Sequence, residues 1–183
     1  MKRLRLIIFL VVGLAQLAVP ASAVWRRGQT LKYGRVWKFQ TAPVDPVDAV
    51  RGRYVSLQFS AEDFPRKERF EGAAQAYATL KEGSDGYAVV EDLSATPISG
   101  DNVLKVGVRG YWNDIQHVDF PFDRYWVSEQ LAPAVETAYV ANSRRGKINA
   151  YVTVRIRNGD AAIEEIYFDN QPFREYLRNQ AKP

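Results

Sequence analysis

Residues 151–168 read YVTVRIRNGDAAIEEIYF. Over residues 151–157 the chain alternates, with Val152, Val154 and Ile156 on one side, which is the period of a strand that buries one face. Asn158-Gly159-Asp160 follows, and a second apolar run occupies residues 162–168. Asn and Gly tolerate the positive φ of a tight turn, so the stretch is predicted as an antiparallel hairpin. Two registers are open. A two-residue Asn-Gly turn sets Val154 opposite Ile163. A three-residue loop instead sets Val152 opposite Ile166 and points Glu164 at the core side. A slip of one residue exchanges the faces, and the sequence leaves the choice open.

Working outward, the same alternation recurs. Residues 54–59 place Val55, Leu57 and Phe59 on one side and Tyr54, Ser56 and Gln58 on the other. Residues 73–80 and 87–93 flank Glu82-Gly83-Ser84-Asp85-Gly86, a second hairpin signal. Residues 103–111 put Leu104, Val106 and Val108 opposite Lys105 and Arg109. One helix is predicted over residues 133–145: Pro133 suits a first turn, and Leu131, Val135, Ala138 and Asn142 share a side. Arg144, Arg145 and Gly146 suit its C-terminal end. A short helix is expected over residues 171–179. The fold class expected is mainly β with minor α. It would be a single antiparallel-sheet-rich domain, residues 26–183, behind an N-terminal hydrophobic helix of residues 1–25.

Residues 6–24 carry no charge and follow Lys2, Arg3 and Arg5. The basic start, the apolar run and Ala21-Ser22-Ala23 fit a secretory signal cleaved after Ala23. The same run approaches the length that spans a hydrocarbon layer of ~30 Å, and Trp25 suits an interfacial belt, so an uncleaved anchor fits equally. Both readings export the remainder, and no second span is expected after it.

The 183 residues hold no Cys and one His, His117. That removes disulfides, thiol nucleophiles and multi-histidine metal sites. The formal net charge of +4 shrinks to +1 once Lys2, Arg3 and Arg5 are set aside, leaving 22 basic against 21 acidic residues. A nucleic-acid binder keeps a concentrated basic stripe; none remains, so no nucleic-acid partner is expected.

Residues 43–59, PVDPVDAVRGRYVSLQF, are the most distinctive in the chain. They resemble the signature of the bacterial GDYXXLXY protein family, which shows a P-x-D-P-x-D turn before its motif. The matching positions are Asp45, Pro46 and Asp48 in the turn, then Gly52, Tyr54 and Leu57. Arg53 stands where the family has Asp, and Phe59 where it has a second Tyr. Residues 124–129 resemble a second block, an aromatic strand that ends in Glu129 before a helix, and residues 167–172 resemble the closing segment. The resemblance implies an envelope protein of unknown biochemical activity, held in the inner membrane facing the periplasm or periplasmic if cleaved, with a multi-spanning membrane protein as partner. No cofactor is implied.

Read from the residues alone, Val55, Leu57 and Phe59 are core filling, because alternate spacing is what strand packing needs. Asp45 and Asp48 beside Pro46 suit a turn, and Gly52 a backbone that a Cβ would forbid. Arg53 argues in the same direction, since reversing the charge of a catalytic acid would abolish its chemistry. No catalytic or metal-binding set is assigned. Asp45/Asp48, Asp114, Asp123, Glu129 and Glu164/Glu165 are only loose candidates for a carboxylate pair, and the simpler account of Glu164 is a cross-strand ion pair with Arg155 or an edge-strand charge that deters aggregation. Among the many aromatics, Trp112 and Trp126, near strand ends, are the candidate exposed binding rings. The leading expectation is therefore a non-enzymatic, membrane-tethered interaction module. The alternative is an exported enzyme acting on a cell-envelope polymer through paired carboxylates.

Overall fold

The computed structural model describes residues 2–42, 54–72, 74–144 and 147–180. Helix α1 (Lys2–Tyr33) leads into β1 (Arg35–Gln40), β2 (Tyr54–Ser56), a 3-10 turn (Ser60–Glu62) and β3 (Asp63–Pro65). Next come β4 (Gln75–Glu82), β5 (Ala88–Ser94), β6 (Val103–Trp112), β7 (Ile115–Asp119) and β8 (Arg124–Trp126). Then follow α2 (Ala132–Asn142), β9 (Ser143–Arg144), β10 (Lys147–Ile148), β11 (Ala150–Arg157), β12 (Asp160–Phe168), β13 (Gln171–Pro172) and α3 (Phe173–Gln180).

One sheet has the order β1-β11-β12-β13 and the other β3-β7-β6-β4-β5, antiparallel throughout. The pairs β2–β8 and β9–β10 form short ribbons. Phe39, Val152, Val154 and Ile166 from the first sheet meet Ala78, Leu80, Leu104 and Val106 from the second in one core. The mainly β architecture with minor α is thus the one expected from the alternation.

The hairpin of β11 and β12 uses both registers. Arg157 pairs with Asp160 across Asn158 and Gly159, at φ 50° and 86°, and this two-residue register carries Val154 opposite Ile163. The pairing then shifts, and Val152 stands opposite Ile166. Glu164 is the extra residue of the bulge. Had the first register continued, Ile166 would turn to the outer face. The bulge returns it to the core, where Ile163 and Ile166 are both buried, as a one-residue insertion must. Glu164 is left outside and meets Arg155 Nη2 at 2.8 Å, the cross-strand ion pair weighed for it from the sequence.

Helix α1 does not stop at residue 25. It runs eight residues further and docks its last turns on this hairpin. Thr30 is buried, Arg157 Nη1 donates to Gln29 Oε1 at 3.3 Å, and Arg155 Nη1 donates to the Gly34 carbonyl at 3.2 Å. Gly34 ends the helix with its N–H on the Thr30 carbonyl at 2.8 Å. A Cβ there would stand 2.5 Å from the Thr30 oxygen and 3.0 Å from the Ile156 oxygen, so only glycine lets the strand and helix backbones approach this closely. Upstream, none of the apolar window within Ile8–Tyr33 is buried.

Two further differences have local causes. The helix expected to 145 ends at Asn142, whose side chain turns inward and donates to the Ala138 carbonyl at 2.8 Å. Ser143 next meets the Thr41 hydroxyl at 3.1 Å and starts a strand. Arg145 and Gly146, expected as its cap, lie outside the described residues. Strands β6 and β7 join through Asn113 and Asp114, at φ 52° and 59°. This two-residue turn has no glycine, so the usual composition signal is missing, although Asn and Asp visit the left-handed region.

Gly34→Ala should lower the unfolding free energy of the full chain by about 1–3 kcal/mol, the usual cost of overpacking. Gly28→Ala, where a Cβ meets nothing within 4 Å, should leave it unchanged or slightly higher. Urea titration of both variants checks this.

Candidate functional site

The extended segment from Tyr54 to Phe59 crosses from one partner to another. Tyr54–Ser56 pairs with β8, the Leu57 N–H donates to the Asp123 carbonyl at 2.8 Å, and Phe59 bridges to Thr41 at the end of β1. Val55, Leu57 and Phe59 are 1%, 3% and 1% exposed and belong to the core. The opposite side is different. Tyr54, Ser56 and Gln58 wall a hollow of about 500 Å³, completed by Glu62, Arg109, Asp119, Phe120, Asp123 and Arg124. A second hollow of about 150 Å³ adjoins it, sharing Gln58, Glu62 and Arg109 and adding Asp63, Trp112 and His117. Together they form one groove walled mainly by the outward half of the motif segment, with Leu57 and Phe59 also reaching its lining.

Glu62 lies between the two hollows. It closes the 3-10 turn by reaching back three residues: its Oε2 accepts the Phe59 N–H at 3.1 Å, and its Oε1 accepts the Phe120 N–H at 3.4 Å. It therefore ties the end of the motif segment to the end of β7. Burial pushes its carboxyl above the ordinary value. The two backbone N–H groups and the Arg109 charge pull it down, Asp119 pushes it up again, and burial prevails. Arg109 is paired with Asp119 across the β6–β7 hairpin.

His117 presents its Nδ1 to Asp63 Oδ1 at 2.7 Å, while its Nε2 is buried and has no partner among the described residues. The Trp112 indole covers the imidazole, ring centroids 3.5 Å apart and planes 18° from parallel. Gly110 makes this possible, since a Cβ there would come within 2.5 Å of the indole Cζ3. The pairing of β6 with β7 shifts between Val108 and Tyr111, a bulge that re-aims Arg109 and Trp112 toward the groove.

Trp112 is 54% exposed and Trp126 is 62% exposed, as their positions near strand ends suggest. Trp126 lies against Tyr54, its cross-strand partner, at 5.1 Å between ring centres. Arg124 sits 5.0 Å over the other ring of that pair, Tyr54. Glu129 is exposed in the turn ahead of α2. Asp45, Pro46, Asp48 and Gly52 lie outside the described residues.

Sequence reasoning missed Glu62, Arg109 and Asp119. A usable signal exists for Glu62, an acid three residues after an extended segment, where it can reach back to an N–H. Arg109 and Asp119 gave none, because their hairpin turn lacks glycine. Among the described residues no three His, Asp or Glu side chains converge as a metal ion requires. A separate hollow of about 530 Å³ lies between Leu131 and α3, lined by Phe173, Leu177, Arg174 and Arg178. It contains no acid, base or nucleophile arranged for chemistry.

The folded protein holds the Glu62 proton more tightly than the unfolded chain does. Glu62 thus contributes stability in acid, below the ordinary carboxylate range, that is lost as pH rises through its raised value. The melting temperature of the wild type relative to Glu62→Gln should therefore fall as pH is raised from about 4 to about 7. Thermal melts of both proteins across that range check it, and a constant difference would contradict the assignment.

No curated protein and no solved structure matches the chain. The family model described as GDYXXLXY protein matches residues 16–166, a span that begins inside α1, takes in both hollows of the groove and ends within β12. By that match, over most of its length, the chain belongs to the GDYXXLXY protein family.

Proposed function

We propose that the chain is a membrane-tethered, non-enzymatic interaction module whose β domain stands outside the inner membrane and works with a multi-spanning membrane protein. The observation that carries this is the continuity of α1. An apolar window of mean hydropathy 2.0 within Ile8–Tyr33 is left wholly uncovered by the domain, while the same helix ends clamped on β11 and β12 through Gln29, Thr30 and Gly34. An uncovered apolar helix of this length needs a hydrocarbon environment. Lys2, Arg3 and Arg5 at its start favour the cytoplasmic side for that end, which puts the domain on the far side.

The clamp adds a mechanical consequence. Only four residues separate Val24, the end of the uncharged run, from Gln29 on the hairpin, about 6–8 Å of helix. The domain is thus carried rigidly at the membrane surface and not on a flexible linker, so one of its faces is held ready for a membrane neighbour. Cleavage after Ala23 would leave the docked residues in place and release the domain.

Glu62 favours a second reading, the exported enzyme acting on an envelope polymer. A half-buried acid with a raised pKa in a groove is the usual setting of a general acid. Against it, both Glu62 oxygens already accept backbone N–H groups, and Asp119 is neutralised by Arg109. Those engagements support a structural role for the acid.

Two measurements test the proposal. Membranes from cells that make the intact chain should release it with detergent and not with salt, and its mass should include residues 1–23. Photo-crosslinking in the same membranes should recover a multi-spanning protein reproducibly. Release by salt alone would rule out the anchor. Recovery of no membrane protein, under conditions that preserve known complexes, would rule out the partner.

A further inference from the structure

We infer that the groove between the motif segment and the β6–β7 hairpin is a binding site for an uncharged oligosaccharide strand. This goes beyond the membrane-partner reading and does not depend on it.

The aromatic geometry is the first argument. Trp112 and Trp126 are the two most exposed aromatic rings beyond α1 among the described residues. Trp112 is stacked on His117 at 3.5 Å, and Trp126 meets Tyr54, a ring of the groove wall, at 5.1 Å with the planes tilted by 57°. A ring backed on one face and open on the other is a prepared platform, and preparation lowers the ordering cost of binding. An aromatic face carries negative charge density, which suits the weakly positive C–H face of a pyranose ring.

The polar lining is the second. Asp119, Asp123 and Gln58 can accept hydroxyl protons, and Arg109 and Arg124 can donate to hydroxyl oxygens. Such mixed donors and acceptors along a groove match a ligand that is itself both at every carbon. The larger hollow, about 500 Å³, falls within the usual small-ligand range of about 300–1,000 Å³.

Charge and shape disfavour the alternatives. Among the described residues, Glu62, Asp63, Asp119 and Asp123 face Arg109 and Arg124 as fixed cations, so a phosphate-bearing or otherwise anionic polymer meets more negative than positive charge from that lining. A peptide strand adding to the sheet would need a free edge. The five-stranded sheet's edge beside the groove is β3, three residues long and ending in Pro65, which is how edges are blunted, and β2 and β8 of the neighbouring ribbon are only three residues each.

The test titrates the full chain, solubilised in a polyoxyethylene detergent that carries no sugar headgroup, with chitotetraose and with cellotetraose. Calorimetry and tryptophan fluorescence are the readouts, and a lysine-containing tetrapeptide is the competing probe. Saturable binding of at least one sugar is expected. Trp126→Ala and Gly110→Ala, the latter displacing the Trp112 indole without removing it, should each weaken binding roughly tenfold or more, as truncating or misplacing an anchor does. Trp126→Phe should retain part of it, and far-ultraviolet circular dichroism should show every variant folded. Three results would overturn the inference: no saturation by either sugar up to roughly 10 mM, binding indifferent to both the 126 and 110 substitutions, or binding of the tetrapeptide with none of the sugars. Because capture of the membrane partner is measured separately, failure here leaves the tether and partner standing, and their failure leaves the groove standing.

Discussion

Phe39, Phe59, Phe120 and Phe122 pack so that every one of their six pairs is in contact, with ring centroids 5.1–6.0 Å apart. Phe39 belongs to β1 of one sheet, Phe59 ends the motif segment, and Phe120 and Phe122 follow β7 of the other sheet. Five of the six pairs are edge-on or tilted, the arrangement in which ring edges meet negatively charged faces, at about 0.5–1.5 kcal/mol per pair beyond area burial. This cluster is where the two sheets and the motif become one body. It also determines where the groove lies: with Phe59 inside, the alternate residues Tyr54, Ser56 and Gln58 must face out, directly above Glu62.

A buried polar network supports the same junction from behind. Tyr139 on α2 is fully buried, and its hydroxyl accepts the Gln58 N–H at 3.4 Å. Thr41 bonds the Ser143 hydroxyl and donates to the Ala150 carbonyl. Burial pushes the Tyr139 phenol up to about 12, so it keeps its proton across the physiological range and can serve as donor as well as acceptor. Buried polar groups are costly unless satisfied. Here they join α2, β1 and the motif segment at a defined geometry, and the groove wall inherits that geometry.

The segment Tyr54–Phe59 thus does two jobs with one period. Its inward residues are packing, as alternate spacing alone argues, and its outward residues form a wall whose other components come from far along the chain. Leu57 and Phe59 were readable as core because strand alternation is local. The role of Tyr54 was not, since it depends on Trp126 lying opposite in β8 and on Arg124 approaching its ring, contacts about seventy residues away in sequence. The exposed state of Trp112 was readable from its place at a strand end. Its stacking on His117 was not, because it requires the β6–β7 hairpin to close through Asn113 and Asp114 and Gly110 to leave room.

The sequence by itself determined the class of fold, the apolar N-terminal helix ahead of a β-rich domain, the inward set of each alternating strand, and the turn at Asn158-Gly159. These follow from interactions between residues a few positions apart, whose period is imprinted on composition. Tertiary structure decided the rest. The hairpin register is the clearest case: either reading was sound locally, and both occur, joined at Glu164, because only the opposing sheet demands that Ile163 and Ile166 point the same way. The docking of α1, the raised carboxyl of Glu62 and the groove itself likewise arise from burial by distant elements, and burial is a property of the assembled core that no short window of sequence contains.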